Sequence, residues 1–189
     1  MGWSDARSIE PRSYVCGHCG NQVGSAVGYD DPYQDRAYIY ICPTCEKPTY
    51  FGQGRQTPGI RPGVEVEFLP EGVGALYREA RDCVAVSAYT ASVLVCRKLL
   101  MHIAVEKEAK VGGKFIEYVE YLSEKGYVPP NGKRWVDHIR QKGNEANHEI
   151  SVMSAEDARE LLMFVEMLLK FVYEFPSRIP GEPGASGSV

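Results

Sequence analysis

The sequence lacks any apolar run long enough to cross a bilayer, since the longest candidate, residues 161–173, is interrupted by Glu166 and Lys170. Its first eleven residues are polar and lack the apolar core of a secretory signal. The excess of one sign of charge is also small, because 21 basic and 25 acidic residues give a formal net charge of −4. This balance argues against a nucleic-acid binder held by bulk electrostatics, although it permits a local basic site. We therefore expect a soluble, cytoplasmic protein with no membrane partner.

Cysteine is present in an uneven distribution that suggests two different roles. In a cytoplasmic chain, six cysteines are expected to be thiols or metal ligands and not disulfides. Two lie alone within helical patterns, Cys83 and Cys96, and are predicted to be small buried side chains. The other four form two Cys-x-x-Cys pairs, Cys16 with Cys19 and Cys42 with Cys45.

The two pairs predict one structural zinc ion. Each pair places two thiolates on a tight turn, and antiparallel strands can bring two such turns together as a tetrahedral four-cysteine site. The alternatives are a redox Cys-x-x-Cys motif and an iron-bearing, rubredoxin-like site. His18 lies between two ligands and is interpreted as a bystander. Four thiolates leave no coordination position for water, so zinc is expected to hold structure and not to perform chemistry.

The sequence divides into regions of different composition. We predict a zinc-ribbon domain with an irregular leader over residues 1–54, a Pro/Gly-rich linker over 55–70, a helical domain over 71–179 and a disordered tail over 180–189. Strands are expected near residues 13–15, 22–28, 36–41 and 48–52. Helices are expected near residues 71–84, 87–109, 114–125 and 135–150, with a last helix that begins at a capping box over 154–157 and ends near Pro176. The predicted fold class is a small β zinc ribbon followed by an all-α bundle of four to five helices.

The predicted helix at residues 135–150 carries an unusual polar row. Arg140, Asn144 and His148 recur at four-residue steps, so they align within roughly 80° of each other on a helix. The row lies beside an apolar stripe and not on a uniformly solvated face. It is interpreted as a structural or interaction-forming network, as a catalytic row, or as a ligand-binding row without chemistry.

The last predicted helix is apolar on more than one side, from Leu161 to Val172. One apolar stripe would satisfy a monomeric bundle. We therefore expect a homodimer that buries the excess apolar surface. The alternative is that the zinc domain or the linker covers this helix.

The string Arg140-x2-Gly143-Asn144-x3-His148, together with the four-cysteine ribbon, resembles a branch of the HEPN superfamily that is catalogued as a domain of unknown function. Further matches are Glu79-Ala80 and the run that starts at Arg97, and the likeness covers roughly residues 71–178. The resemblance implies a HEPN-like bundle of four to five helices that dimerises. In many members, the arginine and histidine of two protomers cleave RNA without metal, whereas other members are interaction or regulatory modules. Relatives of this branch occur in restriction and anti-phage systems.

Two functions follow from the residues and the resemblance. The first is a zinc-stabilised, dimeric HEPN-like module in prokaryotic anti-phage defence or regulation, which binds RNA or a partner protein. The second is a metal-independent endoribonuclease, in which His148 is the general base, Arg140 binds the phosphate and Asn144 orients a reacting group. However, seven residues separate Arg140 from His148, more than is common in active members. Basic side chains that would bind the substrate are Arg97, Lys133, Arg134 and Lys142. Ribbon aromatics that could stack bases, or else fill a small core, are Tyr38, Tyr40, Tyr50 and Phe51.

Overall fold

The computed structural model describes residues 2–31, 33, 37–128 and 152–179. The chain divides into two compact units. The sheet unit comprises residues 1–62 with 84–87, and the helical unit comprises residues 63–83 and the chain from residue 88 onward. Several predictions lie outside the described residues: the helix at 135–150 with Arg140, Asn144 and His148, the basic residues Lys133, Arg134 and Lys142, and the tail at 180–189.

The sheet unit is built on a five-stranded antiparallel sheet in which neighbouring strands are consecutive in the chain. Its strands are β1 (Arg7–Val15), β2 (Gln22–Asp30), β3 (Tyr38–Ile41), β4 (Pro48–Gly52) and β5 (Arg55–Thr57). The predicted antiparallel ribbon is thereby confirmed at the level of strands and their pairing.

Two parts of the sheet differ from the sequence prediction. The first strand starts at Arg7, within the leader that was predicted to be irregular, because Arg7 and Ser8 pair with the far end of β2. The fifth strand lies within the predicted linker. It forms because Gln53 and Gly54 both take positive φ, at 52° and 72°, which suits the two-residue turn of a tight hairpin.

An aromatic cluster forms the core of the sheet unit beside the cysteines. Tyr14, Tyr40 and Phe51 are buried together with Val23, Cys16 and Cys42. The Tyr14 and Phe51 rings meet edge to face with centroids 5.1 Å apart. Since Tyr40 and Phe51 are core residues, their faces are not available to stack bases, whereas Tyr50 is 38% exposed.

The described part of the helical unit contains four main helices: α1 (Glu71–Ala85), α2 (Tyr89–Glu106), α3 (Phe115–Glu124) and α4 (Ala155–Leu169). Helix α2 is central, packing against both α3 and α4. It also approaches α1 closely, because the buried hydroxyl of Ser92 donates to the carbonyl of Ala80 at 2.9 Å. Leu94 on α2 is 60% exposed. None of the described helices has the length and apolarity needed to span a membrane.

Helix α4 begins as predicted but continues further. Ser154 accepts from the Asp157 N–H while the Asp157 carboxylate accepts from the Ser154 N–H, forming the predicted capping box. The helix then passes through a π-helical turn (Lys170–Glu174) into a short α-helical turn (Phe175–Arg178). Pro176 was expected to end the helix. It lies instead within the helix, in the first turn of this last segment.

Candidate metal centre

The four paired cysteines lie on two turns with the same backbone hydrogen bonding. In the first turn the Cys16 N–H donates to Asn21, and in the second the Cys42 N–H donates to Lys47. The fourth residue after each leading cysteine, Gly20 and Glu46, takes positive φ, at 76° and 57°. Glycine relieves this conformation in the first turn. In the second turn a glutamate adopts it, a departure that the sequence pattern did not reveal.

The two turns bring four sulfur atoms into one cluster. All four Sγ atoms lie within 4.8 Å of one another. Sγ of Cys16 is 3.7 Å from that of Cys45, and Sγ of Cys19 is 3.8 Å from that of Cys42. A tetrahedral zinc site with Zn–S bonds of about 2.3 Å places its sulfurs about 3.8 Å apart, whereas a disulfide bond is about 2.05 Å long. The four cysteines could therefore hold one metal ion, as the sequence predicted.

The electrostatics of the cluster also fit a cation. Burial opposes ionisation of Cys42, but the N–H groups of Cys45 and Thr44 point at its sulfur and lower its pKa to about 7. Burial and the neighbouring thiols raise the pKa of Cys45 to about 12. A bound divalent ion compensates the negative charge and leaves every coordinating sulfur as a thiolate.

The remaining side chains around the cluster support it and do not add ligands. His18 Nε2 donates to the carbonyl of Pro48 at 3.0 Å, which agrees with its interpretation as a bystander. Arg61 donates to the His18 carbonyl at 3.1 Å. Of the two isolated cysteines, Cys96 is fully buried, as predicted, and burial raises its pKa to about 12. Cys83 is only half-buried.

Arg97 is the one predicted substrate-binding residue that the structure describes. Its guanidinium lies over the ring of Phe115, 4.5 Å from the centroid, and so connects α2 with α3. Burial lowers the pKa of Arg97 from its ordinary value, although a guanidinium remains protonated in a protein. Within the described ranges it has no carboxylate partner.

The structure thus defines a chain with a four-cysteine sheet unit followed by a helical unit. The chain belongs to the family described as Domain of unknown function (DUF4145), which matches residues 78–181, just over half of the 189 residues. No curated protein matches the chain. No solved structure matches it either.

Proposed function

We propose that the protein is a zinc-stabilised, dimeric HEPN-like module that binds RNA or a partner protein, in the context of prokaryotic anti-phage defence or regulation. The observation that carries the proposal is the four-sulfur cluster, with Sγ separations of 3.7 Å and 3.8 Å across its pairs. The DUF4145 match covers most of the helical unit and assigns it no function. The HEPN kinship and the defence context rest on the sequence resemblance.

We propose zinc as the metal of this cluster. Four thiolates in tetrahedral geometry select zinc or iron. A redox motif requires only one Cys-x-x-Cys pair, whereas here both pairs share one centre. The aromatic core of Tyr14, Tyr40 and Phe51 packs directly against Cys16 and Cys42. One structural zinc ion would therefore hold together the two turns on which this small core depends.

An exposed apolar stripe along the last helix supports the proposed dimer. Its members recur at four-residue steps: Met163, Met167, Phe171 and Phe175. Met163, Phe171 and Phe175 are 57%, 43% and 45% exposed, and the two phenylalanine rings meet edge to face at 5.3 Å. A second copy of the chain placed against this stripe would remove large apolar side chains from water.

A metal-independent endoribonuclease is the second candidate. It is favoured by the half-buried guanidinium of Arg97, which is stacked on Phe115 without a carboxylate partner among the described residues. Such a group binds phosphate oxygens in a bidentate manner. The catalytic residues would be Arg140, Asn144 and His148, with Lys133, Arg134 and Lys142 along the RNA backbone.

Two measurements test these proposals. Sedimentation equilibrium should show a dimer for the wild type and for Val111→Glu, a matched change at a residue that is already 75% exposed. It should show a monomer for Phe171→Glu. A dimeric Phe171→Glu variant would show that the dimer interface does not include this stripe.

Catalysis is tested with a mixed single-stranded RNA pool and a divalent-metal chelator, with His148→Ala and Arg140→Ala measured alongside. The binding-module proposal predicts no cleavage. Cleavage by the wild type that both folded variants lose would instead establish the nuclease.

A further inference from the structure

A pocket of about 380 Å³ lies within the sheet unit, between the N-terminal segment and the second cysteine turn. Its lining includes Trp3 and, from the second turn, Pro43 and Glu46. Gly24 and Val27 of β2 also line it. The indole N–H of Trp3 donates to the carbonyl of Glu46 at 2.7 Å, so the N-terminal segment is tied to the second turn.

The sequence of the strands explains why this space is not filled by the protein itself. Strand β2 runs through Gly24, Ser25 and Ala26, whose side chains are too small to occupy it. Opposite them the register of β1 shifts between Ser8 and Arg12, so the pairing is interrupted beside the pocket. A Cβ added at Gly24 would meet only Ser13 Oγ, at 4.0 Å.

The walls and rim of the pocket combine apolar surface with negative charge. Trp3 is 45% exposed and Val27 is 51% exposed. Glu46 lines the pocket, and its carboxylate has no ion-pair partner in the described part of the chain. Lys47 follows Glu46 but does not line the pocket. Cys42 is also part of the lining, and four thiolates around a divalent ion carry a net charge of about −2.

This chemistry selects a cationic partner. Phosphates would be repelled by the Glu46 carboxylate and by the thiolate centre, so a nucleic-acid strand is a poor occupant. We propose that the pocket docks an apolar side chain, flanked by lysine or arginine, from a partner protein. The proposal rests on the proposed metal centre, because the second cysteine turn supplies one wall. It narrows the partner of the sheet unit from nucleic acid or protein to a basic, apolar protein segment.

The test is a titration of the full-length protein with defined probes, followed by the ¹H–¹⁵N signal of the Trp3 indole. The probes are the blocked peptides Gly-Lys-Phe-Lys-Gly and Gly-Glu-Phe-Glu-Gly, and an oligouridine RNA. The basic peptide should give a saturable shift and the acidic peptide should give none. Filling the pocket with Gly24→Leu should weaken binding by about tenfold or more, as expected for an apolar side chain that loses its burial. Trp3→Ala, followed by the amide signal of Val27, removes a wall and should have a similar effect.

The charge of the rim is tested by Glu46→Lys, which should weaken binding of the basic peptide roughly two- to fivefold. Glu10→Lys, at an exposed residue that does not line the pocket, should leave the affinity for the basic peptide unchanged. Absence of a shift with the basic peptide, an equal shift with the acidic peptide, or a shift with the RNA alone would overturn the proposal. Zinc content is measured on the same samples. If the protein contains zinc but does not bind the peptide, only the proposed docking site is wrong. If the protein is folded without metal, the proposed metal centre is wrong.

Discussion

The hydroxyl of Tyr77 on α1 lies 3.2 Å from Oε2 of Glu166 on α4, and this pair holds the start of the helical unit in place. The same carboxylate oxygen accepts from the Val64 N–H at 3.1 Å, and Oε1 accepts from Lys170 at 2.6 Å. The Tyr77 hydroxyl is also 3.0 Å from the carbonyl of Val64. A segment that precedes α1 is thus anchored to two helices through one half-buried carboxylate.

Replacing this carboxylate should destabilise the helical unit. Glu166→Gln keeps the shape but removes the charge, and hydrogen bonds to a charged group contribute about 1.5–3 kcal/mol. We expect a loss of about 1–2 kcal/mol in the free energy of unfolding, measured by urea titration with far-UV circular dichroism. Glu124→Gln, at an exposed site on α3, should change it by less than about 0.5 kcal/mol. Equal effects of the two variants would contradict the assigned role.

The same pair predicts how that difference depends on pH. Burial alone would raise the pKa of Glu166, but hydrogen bonds from Lys170, the Val64 N–H and Tyr77 lower it. A carboxyl with a lowered pKa in the folded state contributes stability above its unfolded pKa of about 4.3, and loses it as pH falls through the folded value. The difference in free energy of unfolding between the wild type and Glu166→Gln should therefore be largest at neutral pH and decrease below about pH 4. A gap that widened on acidification would refute this assignment.

Substitution of Gly63, just before Val64, should destabilise the protein. Its φ is 71°, and an added Cβ would overlap the Glu166 carboxylate and lie 3.0 Å from the Tyr77 hydroxyl. Left-handed backbone alone costs a residue with a Cβ about 1–2 kcal/mol, so Gly63→Ala should destabilise the protein by at least that much. Gly72→Ala is the matched control. An added Cβ there meets nothing within 4 Å, and Gly72 lies in the first turn of α1, so alanine should stabilise slightly, by less than about 1 kcal/mol. Thermal unfolding of both variants, with shifts of opposite sign, is the measurement.

These contacts illustrate which features the sequence could predict. The cysteine turns and the Ser154 capping box depend on residues only a few positions apart, so their patterns were readable. The Val64–Glu166 contact joins residues separated by 102 positions, and no local pattern encodes it. Strand β5 was missed because Gln53 is an unusual residue for positive φ.

Gly17, within the first cysteine turn, should be needed for metal binding. A methyl group added there would overlap the carbonyl oxygens of Pro58 and Gly59, so Gly17→Ala must displace the turn that carries Cys16 and Cys19. We expect zinc affinity to fall roughly tenfold or more, by analogy with changes that disturb the surroundings of metal ligands. Gly24→Ala, in the same unit but with open space at its Cβ, should retain wild-type affinity. Competition with a chromogenic chelator measures both. Wild-type affinity in Gly17→Ala would show that the turn can shift without cost.

Substitutions of Arg97 can distinguish a role in packing from a role in anion binding. Its stacking on Phe115 predicts that Arg97→Ala lowers stability by about 0.5–2 kcal/mol. Arg97→Lys should restore part of the stability but not bidentate phosphate binding. The comparison of interest is therefore RNA affinity, measured by fluorescence anisotropy. If the nuclease candidate is right, Arg97→Lys should still bind RNA several-fold more weakly than the wild type. Equal RNA affinity in Arg97→Lys and the wild type would leave the stacked guanidinium a purely structural role.

Removal of the metal should affect the sheet unit selectively. The buried core of Tyr14, Tyr40 and Phe51 contacts Cys16 and Cys42, so it has little to pack against once the cysteine turns separate. We expect one zinc per chain by elemental analysis, and a partial loss of the near-ultraviolet tyrosine dichroism after chelation or in Cys42→Ser, because Tyr77, Tyr118 and Tyr173 of the helical unit stay buried. Cys83→Ser removes a half-buried thiol outside the cluster and should retain both zinc and dichroism. Because structural zinc supplies folding free energy directly, the chelated protein should also become sensitive to protease between residues 7 and 57, the span of the five strands. A metal-free protein that kept its dichroism and resisted the protease would mean that the aromatic core, and not the ion, holds the sheet together.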